Sequence, residues 1–136
     1  MTYLQQKPTS SIQYPSRAIE RAERALRCSP FSWHLLAAMR SQSVTLGAIA
    51  VESGRKNKYT GQQLSELAAE SSLLWLIKVG ILRREVDGQG ITDGFRLTPL
   101  GRYLVEKWQD RGGEFPPPSF LDRLCHALNR WLRLPI

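Results

Sequence analysis

Apolar residues recur at helical spacing over most of the chain, and the pattern breaks once to a period of two. In Ser16–Arg27, positions Ala18, Ile19, Ala22, Ala25 and Leu26 share one face. Arg17, Arg21 and Arg24 share the opposite one, so the segment predicts an amphipathic helix with Ser16 as its cap. Glu20–Arg24 and Glu23–Arg27 have the i, i+4 spacing that braces such a helix. Ser29-Pro30 predicts a restart, with Pro at the first helical position, followed by Phe31, Leu35, Leu36, Ala38 and Met39. Thr45 and Gly54 bracket a short helix over 46–53, and the polar turn Arg55-Lys56-Asn57-Lys58 follows. Thr60-Gly61-Gln62-Gln63 has the spacing of a capping box and predicts a helix over 61–79 that stops at Gly80.

The period then falls to two. Leu82–Val86 and Phe95–Leu97 predict strands, and the Gly-rich stretch between them supplies a turn, so 82–97 reads as a two-stranded hairpin. Thr98-Pro99 opens a further helix through Leu100, Tyr103, Leu104 and Trp108. Residues 1–15 read as a flexible arm, 16–113 as the main domain, and the prolines of 114–118 as a stiff spacer rather than a peptide ligand. Residues 119–136 read as an amphipathic helix whose stripe is Phe120, Leu121, Leu124, Leu128, Trp131 and Leu132.

Val79-Gly-Ile-Leu-Arg-Arg-Glu, followed by Phe95-Arg-Leu-Thr-Pro-Leu-Gly-Arg-Tyr-Leu, resembles bacterial winged helix-turn-helix regulators. Those regulators stop their recognition helix on a Gly-Ile-Leu-like turn and return from the wing with a Tyr/Phe-x-Leu-Thr-x-x-Gly pattern. The whole chain also resembles small cyanobacterial proteins of this type. The resemblance implies a mainly α fold: a winged helix-turn-helix with a two-stranded β-wing and extra N- and C-terminal helices. It also implies a DNA-binding transcriptional regulator without cofactor, and a homodimer. The 61–79 helix would enter the major groove with Lys58, Tyr59, Gln62 and Gln63 near the bases. A glutamine can pair two-point with adenine. Arg55 and Lys56 would hold phosphates, with Gln89 at the wing tip and Arg84 and Arg96 on the flanking backbone. Glu66 and Glu70 on the same helix oppose a polyanion. A second register, with 73–79 entering, would place an apolar helix in the groove, where it does not belong.

Charge narrows the function further. Lys and Arg total 19 against 12 Asp and Glu, a net charge of +7, which suits an anionic partner. That charge is uneven: residues 1–58 carry +6, residues 59–118 carry −1 and residues 119–136 carry +2. Only the 55–58 turn ties the excess to a DNA-reading element. The rival reading is an adaptor that binds no DNA and docks an acidic protein or an anionic membrane surface. Its contacts would be Arg17, Arg21, Arg24, Arg123, Arg130, Trp131 and Arg133. The plainer alternatives are a solvated arginine face on the first helix, and a last helix packed on its own domain or on a second copy.

Catalysis has no supporting motif. The sequence contains no Gly-rich phosphate loop, nucleophile elbow or HExxH, and neither His34 nor His126 has a relay partner at a recognisable spacing. Cys28 and Cys125 lack paired zinc-ligand spacing and read as free thiols. No signal-peptide core and no run of 18 apolar residues occurs, so the expectation is a cytoplasmic protein without metal, cofactor or small-molecule substrate.

Overall fold

The computed structural model describes residues 14–110, 112 and 120–131. In chain order these form α1 (Ser16–Arg27), α2 (Trp33–Ala38), β1 (Val44–Thr45), α3 (Leu46–Ile49), α4 (Val51–Lys56) and α5 (Glu66–Lys78). Then follow β2 (Leu82–Asp87), β3 (Gly90–Leu97), α6 (Pro99–Gln109) and α7 (Phe120–Trp131). Residues 1–13 of the expected arm, the 114–118 spacer and Arg133 lie outside the described residues. Tyr14, which the sequence places in the arm, packs on Tyr103 with ring centroids 6.1 Å apart.

The sheet corrects the expected fold class. Three antiparallel strands, in the order β1-β3-β2, replace the two-stranded wing of a mainly α winged helix-turn-helix, and the fold is mixed α and β. The added strand is Val44–Thr45, which pairs with Phe95 and Gly94. Two β-branched residues carry no period of their own, so this strand exists only because β3 offers it a partner. Buried Leu26, Leu35, Leu36, Met39, Ile49, Leu73, Leu76, Ile81, Leu82, Phe95, Leu104 and Trp108 form the core beneath the sheet and helices.

A hairpin forms over 82–97 as expected, with Leu82 opposite Leu97 and Asp87 opposite Gly90, but β3 begins at Gly90 rather than Phe95 and the register shifts between Arg84 and Val86. Thr98 caps α6 by accepting the Gly101 N–H at 3.0 Å. Its own N–H and hydroxyl donate to the Ile81 carbonyl at 2.9 and 3.0 Å. Gly101 is required here, because a Cβ on it would stand 2.3 Å from that same carbonyl oxygen.

Several helix boundaries differ from the sequence reading. The 46–53 helix is two short helices broken at Ala50, whose backbone is extended (φ −85°, ψ 159°). Thr45 caps the first of them as expected, accepting the Ala48 N–H. Val51 opens the second at φ 58°, a strained conformation for a β-branched residue, while its N–H donates to the Leu64 carbonyl at 2.7 Å. Gly54 lies inside α4 rather than ending it. The helix expected over 61–79 starts at Glu66, where Ser65 accepts the Ala68 N–H at 3.1 Å. Thr60 does not cap it, because Thr60 is buried and bridges to Phe31. That bridge also delays the α2 restart to Trp33, and α1 is capped by Pro15 rather than Ser16.

Gly54 marks the closest approach in this region, since a Cβ on it would fall 1.9 Å from the Ile49 oxygen. Gly54→Ala is expected to lower unfolding free energy in a urea titration by about 3 kcal/mol, the upper range for overpacking. Gly61→Ala, where a Cβ meets nothing within 4 Å, is expected to change it by less than about 0.5 kcal/mol.

Candidate functional site

The residues expected to read DNA fall into three groups. Arg55 and Lys56 are exposed in the last turn of α4, so they are helical rather than part of a turn. Lys58 follows at φ 63°, exposed, while Tyr59 is half-buried against the core and its carbonyl accepts the Ser32 N–H at 2.8 Å. Gln62 and Gln63 are exposed in the loop ahead of α5. The fold brings Arg55, Lys56 and Gln63 together around a groove of about 310 Å³, with Glu52 as its acidic wall.

The hairpin arginines are engaged. Arg84 lies 5.0 Å over the Phe95 ring and 3.8 Å from the Glu70 carboxylate, and Arg96 sits 3.5 Å from Glu85. Gln89 is exposed at the tip, where its backbone N–H donates to Asp87 at 2.7 Å. The first turns of α5 present Glu66, Leu67 and Glu70 rather than bases.

The second surface lies where α1 and α5 support α7. Arg27 donates through Nε and Nη2 to the two oxygens of Asp122, at 3.1 and 3.0 Å. Arg130 donates to Ser71 at 2.9 Å, and Trp75 meets His126 edge-on with centroids 6.1 Å apart. Asp122, His126 and Arg130 recur every four residues, so the polar edge of α7 faces the body. The apolar stripe points the other way: Phe120 is 78% exposed, Leu121 67% and Leu124 43%. Phe120, Leu121 and Leu124 therefore do not pack on their own domain, while Leu128 of the same stripe is half-buried. Trp131 lies at the end of α7, beyond the part whose side chains are described.

The arginine face of α1 is corrected too. Arg17 is exposed, but Arg21 and Arg24 are half-buried, and Arg21 Nε is buried without a hydrogen-bond partner among the described residues. Glu23 does not brace Arg27. It accepts Lys107 at 2.8 Å instead, which leaves Arg27 to Asp122.

Against this seam opens a cavity of about 440 Å³, lined by Arg27, Cys28, Ser29, Arg123 and His126. Sequence reasoning assigned Arg123 but missed Arg27 and Ser29, and it treated Cys28 and His126 separately. The available signal was Asp122, the one acid among the bases of residues 119–136. Burial, and then the Asp122 charge, push the Cys28 thiol up from its ordinary value, so it stays protonated at neutral pH. Burial, then Arg130 and Arg24, push the His126 imidazole below its ordinary 6.5. Both cysteines are free. Among the described residues no cluster of three metal-ligating side chains occurs, and no helix is long and apolar enough to cross a membrane.

A family model described as Npun_F0494-like matches residues 12–130, which include both surfaces. The chain belongs to the Npun_F0494-like family. No curated protein and no solved structure matches it. Within this Npun_F0494-like chain, the matched span includes every lining residue of the α1–α7 cavity, so the seam lies within the family's extent.

The lowered His126 value fixes a pH dependence. Between the folded value and 6.5 the unfolded chain binds a proton that the folded chain does not, so stability rises with pH across that interval. Urea unfolding at a series of pH values is expected to show stability falling as pH drops below about 6.5. His126→Gln is expected to flatten that slope.

Proposed function

We propose that this protein is a non-catalytic adaptor that docks on an anionic membrane surface through the outward face of α7. The observation that carries the reading is the reversed packing of that helix. A surface helix ordinarily turns its apolar stripe inward, whereas here Phe120, Leu121 and Leu124 face outward and Asp122 and Arg130 hold the body. An outward apolar stripe flanked by bases is the surface of an interfacial helix, which buries its apolar side at the boundary of headgroups and acyl chains.

Charge selects the lipid surface over a second copy. Arg123 is exposed beside the stripe, and Arg17 is exposed on the neighbouring α1. The acid of α7 is neutralised by Arg27, and Glu23 of α1 by Lys107. Two copies meeting across α7 would set like charges against each other, while an anionic surface attracts them. An acidic protein partner answers the charge, but it leaves open why Phe120, Leu121 and Leu124 are exposed together at the start of a single helix.

DNA binding is the second reading, favoured by one observation: the groove where Arg55, Lys56 and Gln63 meet. It ranks below the first because Glu52 lines that groove, Glu66 and Glu70 occupy the start of α5, and the hairpin arginines have carboxylate neighbours. A duplex contact there would rest on phosphates more than on bases.

Vesicle flotation separates the two. The protein is expected to float with phosphatidylcholine vesicles that contain phosphatidylglycerol, less so as salt rises, and not with phosphatidylcholine alone. The double variant Leu121→Asp and Leu124→Asp is expected to weaken that binding at least about tenfold. The triple change of Arg55, Lys56 and Lys58 to Ala is expected to leave it unchanged. Failure to float with anionic vesicles overturns the membrane reading. Salt-sensitive duplex binding that the triple change abolishes would put DNA in its place.

A further inference from the structure

We propose that the cavity between α1 and α7 is a phosphate-binding site in which Arg123, Arg27 and His126 supply the donors and Ser29 only lines the wall. It deepens the membrane reading, because the site adjoins the outward stripe and would take the phosphate of a lipid headgroup. Free phosphate esters share that chemistry.

The side chains that line the cavity are suited to an anion. Arg27 uses Nε and Nη2 on Asp122, which leaves Nη1 as a further donor and fixes the plane of the guanidinium. That pair cancels its own charge, so the field in the cavity comes from the rest of the lining. Arg123 is exposed and makes no ion pair or hydrogen bond with the other described residues, so its five N–H donors can turn to a ligand. A planar guanidinium of this kind matches phosphate two-point. The Ser29 hydroxyl donates to the Leu26 carbonyl at 2.9 Å, and its oxygen lies 3.4 Å from the Phe31 N–H, which places it on the wall as a neutral polar contact. Cys28 remains a neutral thiol and adds no repulsive charge. A volume of about 440 Å³ admits a phosphate together with part of its substituent.

His126 adds a response that an adventitious surface arginine would lack. The groups around it are Arg24 and Arg27 on α1, Trp75 on α5, and Asp122, Arg123 and Arg130 on α7. Burial, and then the cations Arg130 and Arg24, hold its imidazole below its ordinary value. A dianion in the cavity offsets those cations and favours the imidazolium, so binding raises the His126 value.

The test is NMR of the full chain titrated with inorganic phosphate at constant ionic strength. The proposal predicts saturable shifts of His126, Ser29 and the Arg123 side chain, and a His126 titration that moves upward when phosphate is present. Arg123→Gln is expected to weaken the affinity at least about tenfold. Arg83→Gln, exposed on β2 and outside the lining, is expected to leave it unchanged. Two further arms identify the source. Competition by soluble short-chain phosphatidate at lower concentration than glycerol phosphate assigns a lipid headgroup, and equal competition assigns a free phosphate ester. Shifts that do not saturate, or that are the same in Arg123→Gln, overturn the site. Because inorganic phosphate needs no vesicle, saturable binding without flotation keeps the cavity and removes the membrane reading, and flotation without saturable binding does the reverse.

Discussion

Arg27 grips both oxygens of Asp122, and that fork decides which side of α7 faces the world. The two side chains are 21% and 22% exposed, so the pair is neither a loose surface contact nor a fully buried one. Charge-assisted hydrogen bonds of this kind contribute on the order of 2 kcal/mol. Turning the apolar stripe inward would gain roughly 1.5–3 kcal/mol for each large side chain fully buried. That gain is offset if the turn strips Arg27 and Arg130 of their partners, because a half-buried charge left alone costs about 3–5 kcal/mol at its worst. The platform under α7 is polar along one line, through Arg27, Ser71 and the edge of Trp75, and α7 answers it with Asp122, Arg130 and His126. The outward stripe follows from that match.

The sheet and its helices place the platform. Thr98 ties the end of β3 to the Ile81 carbonyl, and Gly101 lets α6 cross that carbonyl closely. Ile81 accompanies Gly80, whose φ of 92° ends α5 and turns the chain into β2. Those contacts set α5 against the core through Ala69, Leu73 and Leu76, which leaves Ser71 and Trp75 on the side that meets α7. On the other side, Lys107 takes Glu23, and that choice frees Arg27 for Asp122. A stability feature of α1 and α6 thus sets the charge pattern of the α1–α7 seam.

Local chemistry was readable from the sequence, and long-range choice was not. The hairpin, the Thr98-Pro99 start and the Gly80 stop rest on neighbouring residues, so the pattern alone placed them. The start of α5 is ambiguous in the sequence because two residues, Thr60 and Ser65, both offer a capping hydroxyl. Burial of Thr60 against Phe31 decides between them, and that contact spans about thirty positions. Val44–Thr45 became a strand through the distant Phe95. The stripe of α7 was legible as a stripe, but periodicity states which residues share a face and not which face docks. Of the cavity lining the sequence singles out Arg123 but not its companions, since groups that meet across this seam, such as Arg27 and Asp122, stand 95 positions apart.

The orientation of α7 is the claim on which the lipid surface and the phosphate cavity both stand. Methyl NMR with a soluble paramagnetic agent measures it directly. The account predicts that Leu121 and Leu124 broaden strongly while the buried Leu73 and Leu104 do not. Protection of Leu121 and Leu124 equal to that of Leu73 would show the apolar stripe turned inward and contradict it.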